Sequence, residues 1–260
     1  MALRVVQGLA QAREALGRRR GLDLDAAELP PAAAQRTRRV FGEALPPHEA
    51  VRRILADVRR QGDAAVRRYT HLLDGVEVDA LEVPRSALEE AYGALPRPLR
   101  DALEQAAARV RRFQERALPR PWVDLEEGLG EMVVPLERVG VYIPGGTAVY
   151  PSTVVMTVVP ARVAGVREVV LASPPLQGRP HPAILGAAAI AGVDRVFQVG
   201  GVQAIGALAF GTESIPRVDK VCGPGNLFVT LAKRQVYGAV DIDGLYGPTE
   251  TVVIADESAE

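Results

Sequence analysis

Three short apolar runs recur at nearly constant spacing in the second half of this chain. VREVVLASPP starts at Val166, VDRVFQVGG at Val193 and VDKVCGPGN at Val218, so the starts lie 27 and 25 residues apart. A strand, a turn, a helix and a return loop need about that many residues. The stretches between them, HPAILGAAAIAG and QAIGALAFGT, are rich in Ala and Gly and read as apolar helices. Strands written as continuous apolar runs are those covered on both faces. The repeat therefore predicts a Rossmann-like parallel α/β domain.

In such sheets ligands sit beyond the carboxyl ends of the strands. Three of those ends carry glycine turns: YIPGG at 142–146, VGGVQ at 199–203 and GPGN at 223–226. Glycine lets backbone approach a ligand closely, and the helices that follow present free amides and positive dipole ends there. A dinucleotide pyrophosphate would fit. No G-x-G-x-x-G fingerprint is present, and plain turn formation also accounts for the glycines. Three residues at this rim are candidates. Asn226 reads either as the cap of a helix starting at Leu227 or as an amide facing a cofactor. Gln203 reads either as an exposed helical Gln or as a contact. Tyr142 reads either as a half-buried aromatic or as a ring packed beside a planar cofactor.

The first 120 residues follow a different pattern. Val51, Ile54, Leu55 and Val58 repeat at the helical period. Gly62 breaks that helix, and Asp63 is placed to cap a second one through Leu73. Ser86 precedes another helical run, and PLRDALEQAAARVRRFQERAL forms a longer amphipathic helix. The Arg clusters fall opposite the apolar stripes, as solvated helix faces do. EMVVPLERVGVYIPGG reads as two short strands closed by a Pro-Gly-Gly turn. A mainly helical region thus precedes the α/β domain.

A net charge of -1 gives no electrostatic case for nucleic acid or an anionic membrane. One cysteine, Cys222, excludes an internal disulfide and suits a reducing cytoplasm. The N-terminus lacks an apolar segment of signal-peptide type, and no apolar run is long enough to span a bilayer. His48, His71 and His181 have no ligand spacing with one another, so no zinc site and no base–nucleophile pair is legible. The last stretch, LYGPTETVVIADESAE, reads as a Gly-Pro turn, Thr249, Glu250 and a strand over 251–254.

VGVYIPGGTAVYPSTVVMTVVPARVAGVREVVLASPP, VFQVGGVQAIGALAFGTESIPRVDKVCGPGNLFVTLAKRQV and GPTETVVIAD closely resemble the histidinol dehydrogenase family, and VRRILADVRRQGDAAVRRYTHLLDGV is similar to its N-terminal region. The resemblance implies an NAD-dependent oxidation of L-histidinol to L-histidine through a bound aldehyde, with zinc, in a homodimer. It also implies two intertwined Rossmann-like domains of aldehyde-dehydrogenase-like architecture, incomplete in this chain. The boundaries it suggests are an N-terminal helical segment over 1–33, part of a first α/β domain over 34–141, an NAD-side domain over 142–250 and a return into the first domain over 251–260. By resemblance Tyr142, Gln203 and Asn226 contact NAD, and Thr249 stands where the family places a substrate-binding hydroxyl. The family's zinc ligands and its catalytic Glu–His pair correspond to no residue of this chain. The resemblance thus implies cofactor binding without catalysis, and an exposed apolar face on the helices of 34–120. A short non-catalytic paralogue, or a relative oxidising another small amino or hydroxy alcohol, are the competing expectations.

Overall fold

The computed structural model describes residues 6–16, 31–145, 149–176, 178–245 and the single positions 253, 255 and 256. Two compact units emerge. One comprises 1–28 with 246–260, and its described residues include helix α1 (Leu9–Leu16). The other, 29–245, holds everything discussed below. Thr249 and most of the strand expected over 251–254 lie outside the described residues.

The larger unit is built on a six-stranded sheet. Its strands are β1 (Glu82–Val83), β4 (Arg138–Tyr142), β5 (Glu168–Ser173), β6 (Arg195–Gln198), β7 (Lys220–Cys222) and β8 (Asp241–Ile242), in the spatial order β1-β6-β5-β4-β7-β8. All neighbours are parallel except β1, which runs antiparallel to β6. A second, two-stranded sheet pairs β2 (Trp122–Asp124) with β3 (Leu129–Glu131). The strands at Val166, Val193 and Val218 are therefore parallel neighbours or near neighbours, as their spacing requires. The chain grows outward from β4 through β5 to β6, then crosses back to place β7 on the other side of β4. The crevice between the carboxyl ends of β4 and β7 is the topological switch point of the sheet.

Helices cover both faces. On one face lie α4 (Arg85–Ala94), α5 (Arg97–Ala117), α6 (Pro151–Val163) and α7 (Pro182–Ala191). On the other, α3 (Pro47–Asp74) packs against α8 (Gly201–Phe210) and α9 (Leu227–Val236), with α2 (Pro31–Phe41) against α3. This double cover explains the unbroken apolar runs: Val169, Val170, Leu171 and Ala172 in β5 and Val196 and Phe197 in β6 are all fully buried. β1 was not legible beforehand. Two residues carry no periodicity, and only their pairing with β6 makes them a strand.

Pro46 and Pro47 start α3, where a missing N–H costs nothing. Gly75, left-handed at φ 72°, ends it by donating to His71 O at 3.0 Å. The stripe Val51, Ile54, Leu55 and Val58 is buried as its period demands. Gly62 breaks the helix at φ 54°, ψ -133°. Asp63 does not cap the second half. Its carboxylate accepts from the Ser214 amide and hydroxyl, while its own N–H donates to Glu213 Oε2 at 2.7 Å. The cap comes from 150 residues away because the carboxylate of Asp63 is drawn into packing with the α8–β7 loop. Ser86 also falls inside the first turn of α4, whose N-cap is Pro84. The EMVVPLERVGVY segment differs as well. β3 pairs back with β2, and β4 joins the large sheet. The Asp124 carboxylate accepts from the amides of Glu126 and Glu127 at 2.9 and 3.0 Å, which sets the β2–β3 turn.

Candidate functional site at the sheet rim

A cavity of about 400 Å³ opens at the carboxyl ends of β4, β5, β6 and β7. Tyr142, Pro174, Gln203 and Asn226 line its sheet side, and Phe41, Ile54 and Asp74 from α2 and α3 line the other. The three rim residues singled out from the sequence are thus brought into one cavity.

Tyr142 ends β4 and is only 4% exposed, so it is fully rather than half buried. Its hydroxyl oxygen accepts from the Gly201 amide at 3.1 Å. Burial pushes the phenol up to about 12; the Gly201 amide opposes this shift and the nearby Asp74 carboxylate adds to it. The hydroxyl therefore keeps its proton and can donate it. Gln203 lies in the first turn of α8 with no exposed surface, which rules out an ordinary solvated helical Gln. Its Nε2 donates to Asp74 Oδ2 at 3.5 Å, and its Oε1 has no hydrogen-bond partner. A buried acceptor left unsatisfied costs about 1–3 kcal/mol, and a ligand donor would recover it. Asn226 is the N-cap of α9, its Oδ1 accepting from the Val229 amide at 3.1 Å. With Oδ1 committed to the cap, Nδ2 is the atom left to donate to a ligand. Cap and contact are therefore compatible.

The GPGN turn is held by a buried ion pair. Lys233, 2% exposed, donates to Gly223 O at 3.0 Å and to Asp243 Oδ1, and Asp243 Oδ2 accepts from the Gly223 amide at 2.7 Å. Both polar groups of Gly223 are thus satisfied by one pair. Gly223 has φ 117°, and a Cβ there would lie 2.1 Å from the Tyr142 carbonyl oxygen. Only glycine lets the turn pass this close to the end of β4. Sequence reasoning missed Lys233 and Asp243. The signal was a lysine on the same face of α9 as Val229 and Val236, the apolar face. It missed Asp74 as well, for which a helix-ending Asp offers no local signal.

The donor set suits a dinucleotide. The unsatisfied Gln203 Oε1, the Tyr142 hydroxyl and the Asn226 amide are neutral groups, and no side chain caps α8, whose Gly201 amide is given to the Tyr142 hydroxyl. Zinc does not fit the described residues, among which no three His, Cys, Asp or Glu come together. Burial first, and Asp243 second, push the Cys222 thiol up to about 11, so it stays protonated and is a poor metal ligand or nucleophile. Among the described residues no helix is long and apolar enough to cross a membrane.

A sequence model described as histidinol dehydrogenase matches residues 42–260. Curated histidinol dehydrogenases align over nearly the whole chain: that of Dehalococcoides mccartyi strain CBDB1 is 48% identical over 99% of this chain and 58% of its own length. That of Deinococcus radiodurans is 50% identical over the same shares. The Thermus thermophilus enzyme is 55% identical over 81% of this chain and 50% of its own. The crystal structure of histidinol dehydrogenase from Elizabethkingia anophelis superposes with a TM-score of 0.78 at 32% identity, covering 90% of this chain and 55% of that one. The chain spans between half and three fifths of the length of these relatives. With a family match over most of its residues and a solved relative of similar fold, this chain belongs to the histidinol dehydrogenase family.

Proposed function

We propose that the rim cavity binds NAD through Tyr142, Gln203 and Asn226, and that the chain supplies the cofactor side of the oxidation of L-histidinol to L-histidine. The observation that carries this reading is the convergence of the three residues on one cavity, with a buried Gln203 oxygen awaiting a donor. When bound, NAD is the hydride acceptor. The residues here bind and orient it. Gln203 Oε1 accepts a hydrogen bond, the protonated Tyr142 hydroxyl and Asn226 Nδ2 donate, and the Val202 and Gln203 amides, next after the Gly201 amide held by Tyr142, meet phosphate charge that no lining cation among the described residues could meet.

By resemblance no residue of this chain supplies the zinc ligands, the general base or the glutamate that activates water. Thr249 is proposed to contact substrate. A homodimer in the cytoplasm is the assembly and setting we infer. The domain boundaries suggested by resemblance stand as part of the same proposal.

Calorimetric titration of the chain with NAD⁺ tests the reading. Asn226→Ala removes cap and contact together, whereas Asn226→Asp keeps an oxygen for the cap and loses the donor. Both are expected to weaken binding about tenfold. Unchanged titrations in folded variants would remove Asn226 from the site. With histidinol and zinc added, the chain by itself is expected to form no NADH. An enzyme-like rate of absorbance growth would overturn the reading of this chain as lacking the catalytic groups.

A further inference from the structure

A second, much smaller cavity of about 30 Å³ adjoins the first, enclosed by Pro144, Val149, Ser173, Pro174, His181 and Ile184. Gly145, Pro174 and Leu176 line both, so Pro174 stands between them. Its place is fixed by two glycines. A Cβ on Gly145 would lie 2.3 Å from Pro174 Cγ, and one on Gly200 would lie 2.5 Å from Pro174 Cβ. The turns after β4 and β6 thus open a notch that admits the proline following β5.

Two polar side chains line the small cavity. Ser173 ends β5 and is 2% exposed. His181 is the N-cap of α7 and is half-buried. Its Nδ1 accepts from the Ala183 amide at 3.1 Å, which leaves the proton of the neutral ring on Nε2. Among the described residues neither that Nε2–H nor the Ser173 hydroxyl has a hydrogen-bond partner. A donor buried as deeply as Ser173 is costly to leave unmet. The space between them holds one water-sized group and no ring. A ligand hydroxyl there would turn its own proton toward Val149 and Ile184 or compete for the Ser173 oxygen. An oxygen that only accepts, as on a phosphate, takes both donors, and its charge strengthens each bond. We propose that Ser173 and His181 form a second subsite of the rim, holding one phosphate oxygen of the dinucleotide on the α7 side of Pro174. The pyrophosphate has oxygens for this subsite besides those met by the Val202 and Gln203 amides.

The proposal rests on the larger cavity being the dinucleotide site, and calorimetric titrations of the chain separate the two ideas. Ser173→Ala removes the hydroxyl. His181→Asn keeps an oxygen to cap α7, while its shorter side chain withdraws the donor from the cavity. Each is expected to weaken NAD⁺ about tenfold, with circular dichroism confirming the fold. Because both groups hold one oxygen, the double variant is expected to lose clearly less than the product of the single losses. ADP is expected to weaken with Ser173→Ala as NAD⁺ does, and adenosine to be unaffected. Single losses that simply multiply would overturn the shared oxygen. An adenosine affinity that falls with Ser173→Ala would give the pocket to a ribose hydroxyl and overturn the phosphate. Unchanged NAD⁺ titrations in both folded variants, with Asn226→Ala still weakening binding, would overturn the subsite while the larger cavity stands. No NAD⁺ binding by the unaltered chain would overturn the cavity reading and this proposal with it.

Discussion

The rim of the large sheet and the arm spanning 113–136 treat the same kinds of residue in opposite ways. At the rim, polar groups are buried and partnered: Lys233 with Asp243 and Gly223, and Tyr142 with Gly201. Along the arm, apolar groups are exposed: Leu125 is 90% accessible, Met132 81% and Val134 72%. The cause is cover. β4 and β7 lie inside a sheet with helices on both faces, so polar groups there are taken out of water and most find a partner, Gln203 Oε1 being the exception. The β2–β3 hairpin has two strands and, among the described residues, no helix packed over it, and such a hairpin buries little by itself. Contiguous exposed apolar surface of this kind marks an interaction site or an aggregation hazard. The arm thus behaves as apolar surface awaiting contact, and the rim as interior closed except at the cavity beside Gln203.

The sharpest way to break this contrast is a pair of glycine substitutions. Gly223→Ala forces a Cβ against the Tyr142 carbonyl and is expected to cost about 4 kcal/mol or to prevent folding. Gly128→Ala, in the β2–β3 turn at φ 68° with open space around the new Cβ, is expected to cost only about 1 kcal/mol. Urea unfolding of both measures the difference; equal costs would mean that the rim is no more tightly packed than the arm.

Next in size is the ion pair under the turn. Lys233→Met leaves Asp243 and the Gly223 carbonyl without their buried donor, and a loss of about 3 kcal/mol is expected. A loss no larger than that of an exposed pair, such as Arg52–Glu49, would show that the turn is held by backbone packing alone.

The arm is expected to drive self-association. Light scattering of the chain should show an apparent mass that rises with concentration, and the double substitution Val123→Lys with Leu125→Lys should lower it without changing the unfolding midpoint appreciably. A monodisperse monomer at all concentrations would contradict the reading of the arm as unsatisfied surface.

The smallest effect is at alkaline pH. Burial raises Tyr142 from 10.0 to about 12 in the folded chain. Between those values the unfolded chain loses this proton while the folded chain keeps it, so stability is full below pH 10 and falls as pH rises toward 12. Tyr142→Phe is expected to flatten that part of the fall, in urea midpoints measured across this range. An unchanged slope would place the phenol in contact with water.

Much of the fold was legible because it is written in periods. The spacing of the runs at Val166, Val193 and Val218 identified parallel strands, and the stripe from Val51 to Val58 identified the buried face of α3. Asn226 was legible as a cap because capping depends on a residue and its next three neighbours. The burial of Gln203 was hidden because its own helix says nothing about which side α3 would cover. Asp63 was read as a cap for the same reason: its true partner, Ser214, and the true cap, Glu213, are far along the chain. β1 and the β2–β3 pairing were hidden because two or three residues contain no period.

The amino-acid sequence alone thus determined the layers of this protein, the direction of its sheet, the rim where its glycine turns gather and the family to which its motifs are similar. These follow from apolar periodicity and turn chemistry, which act over a few residues. Only the tertiary structure decided that Asp74 meets Gln203, that Lys233 and Asp243 clamp Gly223, and that Tyr142 is sealed beneath Gly201. Those pairings arise because a polar group taken out of water must be satisfied by whichever partner the packing brings near, and sequence distance does not enter that choice.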